Sequence, residues 1–118
     1  MMEQDFSIMI NIPKTWFDTY DGGVKTYLRV MMSIVDSGQS PWYNAISLIP
    51  KQKVVYCYIV FDGKVQLRAN IAGFLKKGEK GNLLGNRNCC LLTGPVIKAP
   101  MKIEQKGFRG FRYCKQLF

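Results

Sequence analysis

The chain has 118 residues, of which 47% are apolar and 21% charged; it contains no histidine and carries a formal net charge of +9. This length and apolar content suit one domain, residues 1–118, around a single core, and exclude a disordered segment. Without histidine no Ser-His-Asp or Cys-His pair can form, and no apolar run approaches the ~20 residues of a membrane-spanning helix.

Residues 1–5 are acidic and lack the basic start of a signal peptide, so a cytoplasmic location is expected, with no membrane partner. Phe6 to Ile12 alternates and reads as a first strand. Pro13 suits the first turn of a helix bearing Trp16, Phe17 and Tyr20, which Gly22-Gly23 would end. Val24 to Val35 fits either a helix or a strand. Asp36 to Pro41 is a loop, and Trp42 follows it as an exposed aromatic. Val54 to Phe61 is a continuous β-rich run, and Asp62-Gly63 is a two-residue hairpin turn. The return strand alternates, with Val65, Leu67, Ala69 and Ile71 on one face and Lys64, Gln66, Arg68 and Asn70 on the other. Residues 76–88 form a glycine-rich basic loop, expected to be flexible and to flank a groove. It lacks the spacing of a phosphate-binding loop. A strand from Cys89 to Thr93 breaks at Gly94-Pro95 and resumes at Val96-Ile97. Lys102 to Gln105 and Phe108 to Tyr113 supply the last one or two strands.

The four cysteines, Cys57, Cys89, Cys90 and Cys114, lack a Cys-x-x-Cys pair, and Cys89 and Cys90 would point to opposite faces of a strand. They read as reduced, mostly buried thiols, and neither a metal nor a cofactor is expected. Charge is unevenly placed. Residues 1–50 carry a net −2, whereas 51–80 and 96–118 carry +5 each. Such a basic C-terminal two thirds suits a polyanion, whose condensed counterions are released on binding. Lys106-Gly107-Phe108-Arg109-Gly110-Phe111-Arg112-Tyr113 adds stacking rings and guanidinium groups within eight residues. The run echoes one signature of RNA-recognition motifs, but Arg109 breaks its spacing. That fold also needs a helix and strand afterwards, and only five residues follow here.

Gly23-x-Lys25-Thr26-x-x-Arg29, placed after a strand and a short aromatic helix, resembles the entry of ASCH-like domains in the PUA-like superfamily. The hairpin over 54–74 and the segment Leu91 to Val96 are similar to PUA-like barrels. The Lys-to-Arg spacing is one residue shorter than in that family, and Tyr27 or Leu28 stands where its motif has glutamate. The resemblance implies an α+β fold: a small β-barrel of about six strands with one or two short N-terminal helices. It implies binding of nucleic acid, RNA favoured over DNA, without chemistry and with no catalytic residue. Lys25, Thr26 and Arg29 would lie at a cleft mouth with Trp42 as a stacking face. The cations Arg68, Lys76, Lys77, Lys80, Arg87, Arg109 and Arg112 are the further binding residues expected. One alternative is a small amidohydrolase of modified pyrimidine nucleosides, with Lys25 as base or Thr26 as nucleophile. A further alternative is a basic module that docks an acidic protein. The oligomeric state stays open.

Overall fold

In the computed structural model of the chain, residues 6–12, 23–37 and 41–118 are described. Their regular elements are β1 (Phe6–Asn11), α1 (Gly23–Asp36), β2 (Trp42–Ala45), β3 (Val54–Phe61), β4 (Lys64–Leu75), β5 (Cys89–Lys98) and β6 (Phe111–Cys114). The segment 24–35, which suits helix or strand by composition, is helical, and among its described side chains the buried ones, Met31 and Val35, stand four residues apart on one face. Arg29, Val30 and Ser33 on the same helix are exposed. Gly23, expected to follow a helix, is instead the first residue of one. The helix expected around Trp16, Phe17 and Tyr20 lies outside the described residues. No helix of the described residues is long and apolar enough to cross a membrane.

The strands form one mixed sheet in the order β2-β5-β4-β3-β1-β6. β1 and β3 are parallel, and the other neighbours are antiparallel. A parallel pair requires a long crossover, which α1 and β2 occupy. The sheet is open rather than a closed barrel: among the described residues β2 and β6 are unpaired edges. The expectation of a small β-rich fold therefore holds, whereas closure into a barrel does not. With four residues each, the two edge strands are too short to form a long ladder across the seam.

Both faces of the sheet are covered. On one face, α1 lies against β5 and β2, and Met31 and Val35 close over Ile8, Ile10, Cys57, Ile59, Leu67, Ala69, Cys90 and Leu92. On the other, Met9, Tyr58, Val60 and Val65 are overlaid by Ile103, Phe108, Cys114 and Phe118. Central strands buried on both sides need no polar alternation, which is why Val54 to Phe61 reads as one apolar run.

The Asp62-Gly63 turn forms as expected, with φ of +54° and +72° at its two central residues, the geometry that matches strand twist in a tight hairpin. Beyond it the alternation shifts. Ile59 pairs with Leu67 but Val60 pairs with Val65, so the extra residue Gln66 forms a bulge. Val65 is thereby turned to the opposite face from Leu67 and Ala69, correcting the single-face reading of this strand. β5 runs unbroken through Gly94-Pro95, where its pairing with β4 shifts by two residues and the Asn70 side-chain amide donates to the Gly94 carbonyl at 3.0 Å. Lys102 to Gln105 contributes only an isolated bridge, Lys64 to Glu104, rather than a strand.

Trp42 is also corrected. It opens β2 opposite Leu92 and packs, half-buried, against the helix-side core. An aromatic ring next to a proline loop was expected in solvent. Strand pairing with β5 draws it inward instead.

Candidate functional site

The seam left by the open sheet is bridged at one end. The Tyr113 hydroxyl on β6 accepts hydrogen bonds from the backbone N–H groups of Lys51 (2.8 Å) and Gln52 (3.1 Å), tying the β2–β3 connection to the far edge. Gly110 makes a close approach there. Its φ is +71°, a conformation that calls for glycine, and an added Cβ would stand 3.2 Å from the Ser47 hydroxyl.

Beside this bridge is a cleft of about 430 Å³. Ile10 and Ile46 supply an apolar floor, and Asn11 ends β1 at its wall. Lys77, Asn86, Arg87 and Asn88 enter from the β4–β5 connection, and Phe108 and Arg109 from the segment before β6. Three cations from two separate segments thus surround side-chain amides and a ring. Amides can donate and accept at a base edge, and cations can hold the attached phosphates.

The β4–β5 connection presents its cations from a set of hydrogen-bonded turns. Asn82 is its centre. Its Nδ2 donates to the carbonyls of Lys76 and Arg87, both at 2.8 Å, and its Oδ1 accepts from the Leu84 N–H at 2.9 Å. The Lys76 N–H donates to Glu79 Oε2 at 2.6 Å. Asn88 joins the two sides of the cleft: its Oδ1 accepts from the Lys77 N–H at 3.0 Å while its Nδ2 donates to the Ser47 carbonyl at 3.1 Å.

Of the expected binding residues, Lys77, Arg87 and Arg109 meet in this cleft. Lys76 and Lys80 are exposed on the same connection outside the lining. Arg112 is exposed on β6, its guanidinium 5.0 Å from the Phe108 ring centre. Arg68 does not belong to a basic surface. It lies half-buried on the opposite sheet face, 4.3 Å over the Tyr56 ring, and its Nη1 donates to the Phe118 backbone oxygen. Its Nε is buried without a partner.

Lys25, Thr26 and Arg29 are on α1, and neither Thr26 nor Arg29 lines the cleft. Thr26 is half-buried, and Arg29 is exposed beside a different hollow. Asn11, Ser47, Asn86 and Asn88 escaped the sequence reading. The only local signal was a polar residue closing an otherwise apolar first strand at Asn11 and an Asn-Arg-Asn triplet at 86–88.

The thiols are fully buried at Cys57, Cys89 and Cys90 and half-buried at Cys114. Hydrogen bonding with Cys90 and then burial hold the Cys57 thiol well above its ordinary value, and burial pushes Cys89 and Cys114 up to about 11. Among the described residues no cluster of three metal-ligating side chains exists. A raised folded-state pKa contributes stability that is full below the ordinary value of 9.0 and is lost as pH rises toward 11. The stability difference between the natural chain and Cys89→Ala should therefore shrink from pH 9 to pH 11 in urea unfolding. A constant difference would show that the Cys89 proton is not linked to folding.

No protein-family model, curated protein or solved structure matches this chain. Fold and site together define a small mixed-sheet domain with a basic, amide-bearing cleft at the seam of its two edge strands.

Proposed function

We propose that the chain binds nucleic acid in this cleft, single-stranded RNA in preference to DNA, by holding one unstacked nucleotide between its cations and its amides. The observation that carries the reading is the convergence of Lys77, Arg87 and Arg109 around Asn11, Asn86 and Phe108, held in place by Asn88. A hollow of about 430 Å³ is a small-ligand volume, suited to one nucleotide rather than to a duplex. RNA-binding domains commonly read bases splayed from a single strand, through stacking and their exposed edges. The net charge of +9 supplies the long-range attraction. The resemblance to PUA-like domains favours RNA, and it stands here as part of the proposal.

The test is fluorescence anisotropy of a labelled single-stranded RNA, with single-stranded DNA and duplex RNA as competitors. Three phosphate contacts give a slope of about −2 in log affinity against log salt. Raising salt fourfold, from about 50 to about 200 mM, should then weaken binding roughly 15-fold. Affinity that ignores salt, or that is equal for duplex and single strand, would overturn the reading. Anisotropy is preferred to intrinsic fluorescence because Trp42 is packed against the core and does not line the cleft.

A further inference from the structure

A second hollow, of about 850 Å³, lies at the other end of β4 and shares no lining residue with the first. Its described lining has a different chemistry. Arg29 from α1, Lys64 from β4, Lys98 from β5 and Lys102 bring four cations to one place. Glu104 pairs with Lys102 at 3.3 Å, both side chains largely in solvent. Such an exposed pair neutralises little. Between the cations are methionines, Met32 half-buried on α1 and Met101 with 64% of its surface in solvent.

The first cleft has the side-chain amides of Asn11 and Asn86 and a ring, as base recognition requires. The second has no aromatic residue in its described lining, and the side-chain amide of Gln66 already donates to the Phe61 carbonyl at 2.9 Å. Cations around flexible apolar side chains instead match a ligand that is both anionic and apolar. Methionine adapts its shape to varied apolar partners, and long basic side chains can meet carboxylates at a groove rim. A helix or extended segment laid into a groove anchors itself through apolar residues and sets its register through charge.

We infer that this hollow is a protein-docking site, which takes an acidic amphipathic peptide segment of a partner. The carboxylates meet Arg29, Lys64 and Lys98, and the apolar side chains lie on Met32 and Met101. Because the two hollows are separate, the chain can hold such a partner and a nucleic acid at once. This inference rests on the second hollow alone and does not require the reading of the first.

The probe is a fluorescein-labelled peptide of about 14 residues with Glu and Leu ordered on two faces of a helix. Its control has the same composition in an order that mixes the faces. The ordered peptide should bind the whole protein at least tenfold more tightly than the control. Lys98→Glu and Met101→Ser, both at exposed positions, should each weaken it about tenfold with unchanged circular dichroism. Arg109→Glu should leave it unchanged, and single-stranded RNA should not displace it. Equal binding of the two peptides would overturn the inference, because charge alone would then suffice. Loss of binding in Arg109→Glu, displacement by RNA, or no binding of either peptide would overturn it equally.

Discussion

Reversing two cleft cations together, Arg87→Glu with Arg109→Glu, should weaken single-stranded RNA binding by about 100-fold or more. A hydrogen bond to a charged group contributes roughly 1.5–3 kcal/mol, so two lost contacts amount to at least about 3 kcal/mol, before the repulsion of the new carboxylates. The salt slope should also flatten, from about −2 toward −0.7, as three phosphate contacts become one. Both positions are exposed, so the fold should be untouched and urea unfolding should show the same midpoint. Arg29→Glu with Lys98→Glu is the matched control, since it also reverses two exposed cations but outside the cleft. If the control weakened RNA binding as much as the double reversal, net charge and not the cleft would be responsible.

The largest effect on stability is expected from Leu92→Ala. Leu92 is fully buried at the middle of β5, between Trp42 of β2 and Ile71 of β4, and belongs to the cluster under Met31 and Val35. Removing a buried leucine side chain costs its transfer energy plus the cavity left behind, about 3–5 kcal/mol. Against a total of roughly 5–15 kcal/mol for a domain, that is a large fraction. β2 and β4 both pair with β5, so there is little freedom for the site to collapse and recover the loss. Chemical denaturation should show a midpoint far below that of the natural chain at an unchanged slope. A change under about 1 kcal/mol would mean that the helix and sheet are not closely packed at this point. The contrast with the charge reversals is the useful one: those should change binding without stability, and this one stability first.

Local pattern carried much of the fold. β1, β3 and the start of β4 follow from alternation and from an apolar run, and Asp62-Gly63 follows from the positive φ values that a two-residue turn requires. The basic character of the chain beyond residue 50, the source of the polyanion reading, is a property of composition and needs no structure. In the candidate site, Lys77, Arg87 and Arg109 were legible because they are charged and sit near glycines.

The rest depended on contacts between residues distant in the chain. Gln66 is an ordinary polar residue in an alternating strand, and only pairing with β3 reveals it as the bulge that turns Val65 to the other face. Arg68 looked like one more surface cation until Phe118, fifty residues later, covered it. Asn11, Ser47 and Asn88 have no mutual signal in sequence. They meet because the β1–β3 crossover and the β2–β5 pairing bring three strand ends to one seam. Local periodicity records which side of its own element a residue faces, since burial acts on each element through one face. It holds no record of which other element lies opposite, because that is decided by the packing of the whole chain. For this protein the sequence by itself determined β1, the β3–β4 hairpin with its tight turn, and the charge. The open seam, the cleft within it and the choice of helix for residues 24–35 were decided by tertiary structure.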